Sequence, residues 1–353
     1  MLLLLSQEHD LHCDWVEAEC DRRGIAWVRF RTDLIPTRAS LTLRPAAPEL
    51  TGRLVCDGRE IDLAEVVGLW FRRPMPPQVS ADMPQHLRTY AYLECEEAIH
   101  GLYRALEDRR WVSVPHRVEA APHKVHQLQL AARLGLPVVP TLVTNEPEPV
   151  REFFAACGGE MIYKPLRGVV YEEGGAEYCV YTSRVGAEDL ERCLDSVRNA
   201  PCLFQRLVHK KHELRITVVG ERVWTAAIFS QERPDAALDY RSLTAELRHE
   251  PVFLPPGLEA ACVEMTRRLG LRSSQIDIIV TPDDDYVFLE LNPNGQWAWI
   301  EEMTGLPLAT ALVDELSGVD TLAGHPYVRD RSLRFERQTA YVAPAAPAVG
   351  AAP

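Results

Sequence analysis

The sequence has no CxxC pair, no internal repeat, no excess of basic residues and no apolar run near the roughly 18 residues needed to cross a bilayer. Each absence removes a class of function. Nine cysteines are present, an odd number and scattered, which argues against a disulfide framework or a zinc site and for reduced thiols in the cytosol. The formal net charge of -13 argues against non-specific nucleic-acid binding, which needs a basic surface. Residues 1–5 are apolar but short, with no basic stretch before them and Ser6-Gln7-Glu8-His9-Asp10 directly after. That pattern predicts a first buried strand and not a signal peptide. What the chain does have is an apolar content of 46%, enough to build cores over 353 residues and to exclude global disorder. A length of this kind predicts two or three lobes.

The first stretch reads strand (2–5), helix (12–23, with Asp10 as cap and Gly24 as stop), strand (25–30), a polar hairpin-like segment (40–61), strand (66–71) and a long helix (84–108). Strands alternating with helices imply an α/β lobe with a mostly parallel sheet. A second lobe begins near Pro115. It holds a helix at 124–134, strands at 138–143 and 161–164, a helix at 149–157, a glycine-containing loop at 167–175, a strand at 179–182 and a helix at 187–199. The third runs from about 203, with strands at 213–219, 222–230, 275–281 and 286–292, and helices at 257–269 and 308–316. The expected units are therefore 1–115, 116–202 and 203–325, followed by a tail, 326–353, whose Ala/Pro-rich end is expected to be disordered.

The last hairpin carries the strongest local signal. Asp277 interrupts the apolar strand Ile276 to Val280, and Glu290 and Asn292 share one face of the strand Val287 to Asn292 by the two-residue period. If 282–285 is the connecting loop, Thr281 faces Tyr286 and Asp277 faces Glu290. Two like charges opposed in an apolar sheet are destabilising, and a bound cation removes the conflict. Two carboxylates and an amide oxygen are hard donors, the set magnesium takes alongside nucleotide phosphates.

Cations complement these acids. Lys124 sits in the first turn of a helix, opposing the helix dipole at a cost of a few tenths of a kcal/mol. Lys164 ends an apolar strand before the glycine-containing loop. Each alone is the kind of lysine that surfaces carry everywhere; together they suit a polyphosphate clamp. Glu213, Arg215 and Thr217 share a strand face, either as an ordinary salt-bridged surface or as an arginine fixed by Glu213 and aimed at phosphate. In Asp239-Tyr240-Arg241, Arg241 supplies a second such arginine. The stretch Gln205, Arg206, Leu207 and Val208 joins two lobes and offers backbone to an adenine edge. Glu188, Glu191 and Asp195 share one face of the 187–199 helix, a solvated acidic face or a dock for a basic residue.

Lys124, Lys164, the 205–208 hinge, Arg215, Asp277, Glu290 and Asn292, in this order, resemble the ATP-grasp superfamily over about residues 115–320. A closer resemblance, over nearly the whole chain, is to the microviridin-type ligases that make graspetides. It rests on Leu69-Trp70-Phe71-Arg72-Arg73-Pro74, Glu213-Leu214-Arg215, Ser230-Gln231, Asp239-Tyr240-Arg241 and Asn292-Pro293-Asn294-Gly295-Gln296-Trp297. The resemblance implies an α/β ATP-grasp fold with an N-terminal pre-grasp domain and nucleotide held between the last two lobes. It implies ATP on Lys124, Lys164 and the 205–208 hinge, and Mg2+ on Asp277, Glu290 and Asn292. It also implies a phosphoryl group or acyl phosphate steadied by Arg215. A ribosomal precursor peptide with a bound leader is the implied partner, met by Arg72 and Arg73 and by the acidic face Glu188, Glu191 and Asp195. Dimers are usual in the group, so a cytoplasmic homodimer is expected, with no nucleic-acid or membrane partner.

The implied chemistry joins Asp or Glu carboxylates of the precursor to Ser/Thr hydroxyls or Lys amines, giving lactone or lactam rings. Asp239 and Glu213 are both candidate bases, and nothing in the sequence separates them. Two rival readings share the nucleotide site: a ligase that adds glutamate to a protein terminus, and a non-catalytic peptide-binding module regulated by nucleotide.

Overall fold

The computed structural model describes residues 1–45, 50–168, 170–173, 176–240 and 247–328, with the backbone alone described at 170–173 and 176–179. The first domain is built on a parallel sheet in which β1 (Leu2–Leu5) lies between β2 (Trp27–Phe30) and β6 (Gly68–Phe71), and β7 (Arg110–Val112) completes the edge. All four leucines of β1 are fully buried, as a central parallel strand requires. Helix α1 (Leu11–Arg22) begins where the Asp10 side chain accepts from the His12 amide, and Gly24 follows it with φ +65°. The polar stretch after β2 forms an antiparallel sheet of β3 (Ala39–Arg44), β4 (Thr51–Cys56) and β5 (Arg59–Asp62). The long helix α2 (Gln85–Ala105) buries only Ile99, Leu102 and Tyr103. Three residues are too few to give β7 a readable period, so the sequence pattern misses it.

Beyond β7 come α3 (Pro115–Ala120) and α4 (Lys124–Arg133). The second sheet is antiparallel, in the order β12 (Ser183–Val185), β9 (Met161–Lys164), β13 (Cys202–Arg206) and β8 (Thr141–Thr144). Helix α5 (Pro147–Ala156) packs on it. Part of the expected loop 167–175 is instead a hairpin of β10 (Val170–Glu173) and β11 (Ala176–Cys179). The strand expected at 179–182 is displaced to either side of that segment. Helix α6 (Ala187–Cys193) stops six residues short of the expected end, and a 3-10 turn, Leu194–Asn199, takes over.

The third sheet runs β16 (His249–Val252), β15 (Arg222–Ile228), β14 (His212–Val219), β17 (Ser273–Val280) and β18 (Tyr286–Asn292), all antiparallel. Helix α7 (Pro256–Arg268) covers one face, sharing a core with α3 and α4 through Val118, Leu128, Ala131, Leu258 and Ile276. On the other face, α8 (Ala298–Thr304) and α9 (Leu308–Ser317) join this sheet to the first domain. Leu2, Leu4, Val16, Trp224, Trp297, Leu312 and Leu316 belong to that one cluster. Gly68 of β6 lies so close to α9 that a Cβ there would collide with the Leu316 carbonyl. First domain and third lobe are therefore braced together, and the cleft between the second and third sheets is left open.

One partly buried acid in this brace gives a pH-dependent prediction. Burial pushes the Glu301 carboxyl up to about 7, although the Ala309 and Leu308 amides pull it back. The neutral acid is favoured in the folded chain. Its stabilisation is complete below about pH 4.5 and fades as pH rises through about 7. A displacement of that size corresponds to roughly 3 kcal/mol. Glu301→Gln, which keeps an acceptor for the Ala309 amide, raises unfolding free energy by up to about 3 kcal/mol near pH 9 and by almost nothing near pH 4. Urea titrations at the two pH values measure it; an equal effect at both contradicts the assignment.

Candidate active site

The facing acids come from β17 and β18. Asp277 is directly opposite Glu290, as the sequence reading expected, but by a different route. Thr281 does not face Tyr286. Val280 does, because the Thr281 amide closes the turn by donating to the Asp285 carbonyl at 2.9 Å. This slips the ladder by one residue. A bulge between Asp277 and Ile278 then absorbs Leu289 and returns Glu290 to Asp277. Asn292 leans into the same spot, its Nδ2 donating to Asp277 Oδ2 at 3.1 Å and lying 3.5 Å from Glu290 Oε1.

Two cations close on this acid pair from other elements. Gln127 of α4 donates to the Leu291 carbonyl at 2.7 Å and accepts from the Leu291 amide at 2.9 Å, which pins the helix beside β18. Lys124, one turn earlier, thereby places Nζ 2.5 Å from Glu290 Oε2. Arg215 of β14 is the cross-strand neighbour of Asp277 and spans both its oxygens at 2.8 and 2.7 Å. Its Nη2 donates to the Gln296 carbonyl at 3.0 Å. Burial opposes the Arg215 charge, but Asp277, with Tyr240 and Glu290 adding, holds the guanidinium well above its ordinary pKa.

The expected Glu213–Arg215 pair is thus corrected. A directly opposed residue on the next strand is about 5 Å away between Cβ atoms, nearer than a neighbour two positions along the same strand. Glu213 has its own partners: Lys210 Nζ at 2.6 Å and the Ser230 hydroxyl at 2.8 Å. Burial pushes the Glu213 carboxyl above its ordinary range while Lys210 and Ser230 draw it back. Sequence reasoning missed Lys210. In the run His209 to His212 only the alternation of the approaching strand could have separated the buried Lys210 from Lys211, which reaches out to Asp284.

These groups line one cleft of about 600 Å³ between the second and third sheets. Lys124, Lys164, Gln205, Arg206, Leu207, Val208, Glu213, Arg215, Asp239, Asp277, Glu290 and Asn292 all border it, with Arg73 reaching in from the first domain. Along the hinge, the Arg206 and Leu207 amides already donate to the Pro140 and Glu160 carbonyls. Among the described residues Val208 is the hinge amide with no such partner. The donor set suits magnesium: two carboxylates and one amide converge within hydrogen-bonding distance, and a half-turn of the Asn292 amide would present its oxygen.

Of the other expected residues, Arg72, Glu188, Glu191 and Asp195 do not line this cleft. Arg72 is not open to a peptide: its side chain is 1% exposed and tied to the Asn294 carbonyl at 2.6 Å. Period-two alternation explains this, turning Arg72 inward and Arg73 out to the cleft. Glu188 and Glu191 are exposed on α6, but Asp195 stands on the 3-10 turn beyond it, so the three do not share one continuous helical face. Arg241 lies outside the described residues.

A family model described as the MvdD pre-ATP grasp domain matches residues 1–119. Macrocyclase MdnC from Microcystis aeruginosa MRC, solved with precursor peptide MdnA, superposes with a TM-score of 0.77 at 30% identity, covering 90% of this chain and 99% of that one. A RiPP-associated ATP-grasp ligase from Chryseobacterium gregarium, in complex with ADP and a leader and core peptide, gives 0.82 at 27% identity over 90% and 96%. ATP-grasp ligase PsnB, complexed with a phosphomimetic variant of its minimal precursor, Mg and ADP, gives 0.71 at 26% identity over 90% and 97%. A probable alpha-L-glutamate ligase from Pectobacterium carotovorum is 28% identical over 200 residues, and the match spans 55% of this chain and 62% of that relative's length. The parallel first sheet, the two antiparallel sheets and the cleft between them therefore have their counterparts in solved macrocyclising ligases, and the chain belongs to the macrocyclase group of ATP-grasp ligases.

Proposed function

We propose that the chain is a graspetide ligase: it uses ATP to phosphorylate Asp or Glu side chains of a ribosomal precursor peptide and closes them onto Ser/Thr hydroxyls or Lys amines. The observation that carries this reading is the convergence of Asp277, Glu290 and Asn292 with Lys124 and Arg215 in one cleft. A carboxylate is a poor electrophile because its leaving group would be oxide. Its oxygen attacks the γ-phosphorus, ADP departs, and the acyl phosphate that forms has phosphate as its leaving group. The hydroxyl or amine then adds to the acyl carbon, phosphate leaves, and the proton goes to a base. Per ring, one ATP becomes ADP and phosphate, and the peptide loses one water.

The chain's side chains divide this work by position. Lys124 and Lys164 hold phosphates, and Val208 meets adenine. Asp277, Glu290 and Asn292 bind magnesium, which when present offsets phosphate charge. Arg215, forked and permanently charged, steadies the transferred phosphoryl group. Arg73 and Arg241 meet anionic groups of the peptide and intermediate. Glu213 and Asp239 remain the two candidate bases; the raised pKa of Glu213 favours it, and its bonds to Lys210 and Ser230 count against it. Glu188 and Glu191, exposed on α6, dock a basic residue of the leader. Within this reading Glu191→Lys weakens leader binding about tenfold or more and leaves ADP affinity within about twofold, since exposed charge reversal acts on its partner and not on a distant cleft. Fluorescence anisotropy with labelled leader measures the first and calorimetry the second.

We assign a cytoplasmic homodimer as the working state. In support, the described cysteines are all free, and no helix among the described residues is long and apolar enough to cross a membrane. Leu87, Tyr90 and Leu93 leave an apolar stripe exposed on α2 that a second copy could cover. The glutamate-ligase likeness sustains one rival. Incubating the enzyme with its precursor, ATP and magnesium separates them by mass. Macrocyclisation removes one water per ring; glutamate addition gains a residue.

A further inference from the structure

The segment 293–297 continues directly from Asn292, and the first domain grips it from behind. Arg72 Nη1 donates to the Asn294 carbonyl at 2.6 Å and the Gly295 carbonyl at 3.2 Å. Asn294 Nδ2 donates back to the Phe71 and Arg72 carbonyls at 3.1 and 2.5 Å. The Trp297 amide donates to His12 Nε2 at 3.0 Å. Behind the histidine, Nδ1 lies 3.3 Å from Asp10 Oδ1. The other Asp10 oxygen accepts from Ser6 at 2.7 Å and faces Arg72 Nε at 3.4 Å.

Ser6, Asp10, His12, Arg72 and Trp297 are buried, and Asn294 is partly so. A carboxylate, an imidazole and a guanidinium withdrawn from water cost several kcal/mol each unless closely paired, and apolar packing would join two domains more cheaply. The network is also directional. Because Nε2 accepts from the Trp297 amide, the ring proton sits on Nδ1, where Asp10 fixes it, as outer partners fix the histidines of metal sites. Burial, foremost, keeps His12 below its ordinary pKa, consistent with a neutral acceptor.

The gripped segment in turn touches the chemistry. The Gln296 carbonyl holds Arg215 Nη2 at 3.0 Å. At Gly295 there is no slack: a Cβ there would lie 2.6 Å from Gln275 Oε1 and 3.0 Å from Arg215 Nη2. Displacing the segment therefore moves Arg215 and the start of the loop at Asn292 together.

We propose that Asp10, His12 and Arg72 are positioning residues for phosphoryl transfer, so that the first domain completes the nucleotide site from behind the 293–297 segment. The proposal rests on the reading of Asp277, Glu290, Asn292 and Arg215 given under Proposed function. His12→Phe keeps the ring against Trp297, now 5.2 Å edge to face, and deletes the acceptor. His12→Gln restores an acceptor near the Nε2 position. Arg72→Lys keeps the buried charge and loses one arm, and serves if the phenylalanine variant fails to fold.

His12→Phe and Arg72→Lys lower kcat roughly 10–100-fold, the range for partners of metal-site residues, with KM for the precursor within about twofold. Calorimetry gives a matching loss in ADP affinity with magnesium and none without it. His12→Gln recovers kcat to within about threefold of the parent, a rescue that loss of packing alone would not produce. Unchanged kcat in the folded variants overturns the proposal. So does a rise in precursor KM in step with the fall in kcat, or failure of His12→Gln to rescue. Glu290→Gln is assayed beside them. If it retains turnover, the site reading itself has failed; if it is dead while His12→Phe is normal, only the positioning role falls.

Discussion

Asp277→Asn and Glu290→Gln each abolish ADP formation, a loss of about a thousandfold or more in kcat, because positioning and charge neutralisation supply nearly all the catalysis in phosphoryl transfer. The two variants differ in what they do to the fold. Asp277 is the main counter-charge of the buried Arg215, the two side chains being 14% and 8% exposed, and neutralising it costs up to about 3–5 kcal/mol. The Glu290–Lys124 pair is a quarter and a fifth exposed, so Glu290→Gln costs far less stability and gives the cleaner experiment. A coupled ADP assay with precursor reads the activity, and circular dichroism with thermal melting verifies the fold. Near-normal turnover in both variants contradicts the magnesium assignment.

Arg215→Lys has the second largest expected effect. Lysine retains the charge beside Asp277 but has one point donor where arginine has a fork, and it cannot span both Asp277 oxygens while reaching the Gln296 carbonyl. If Arg215 stabilises charge that develops during transfer, kcat falls about 10²–10³-fold and KM for ATP changes little. A variant within about threefold of the parent in kcat would leave Arg215 only a structural partner of Asp277. Single-turnover measurement of ADP release separates the chemical step from product release.

The pairing of Asp277 with Glu290 was legible in the sequence because two-residue alternation fixes which side chains share a face. The register that delivers it was not. The slip at Val280–Tyr286 and the bulge at Leu289 cancel, and neither leaves a sequence mark, since Leu289 reads as one more apolar strand residue. Lys124, Lys164 and the 205–208 hinge were found by order and by position at element ends, and they border the cleft. Same-face spacing on β14 suggests Glu213 as a neighbour of Arg215, whereas Asp277 is its partner, because strand adjacency between β14 and β17 is a tertiary fact. The 187–199 helix broke early although its apolar spacing continues: Leu190, Leu194 and Val197 all remain buried through the change to 3-10 geometry. Least legible was the grip of Asp10, His12 and Arg72 on the 293–297 segment, whose partners lie more than 200 residues apart. Nothing local distinguishes His12 from any other helix histidine, and alternation separates Arg72 from Arg73 without revealing what Arg72 grips.

The most direct measurement is a crystal structure with a non-hydrolysable ATP analogue and excess magnesium. A divalent ion coordinated by Asp277, Glu290 and the Asn292 amide oxygen, with Lys124 Nζ moved from Glu290 onto phosphate, is the predicted result. Nucleotide bound in the cleft with no ion between those oxygens, and with Lys124 and Arg215 still paired to Glu290 and Asp277, would contradict it.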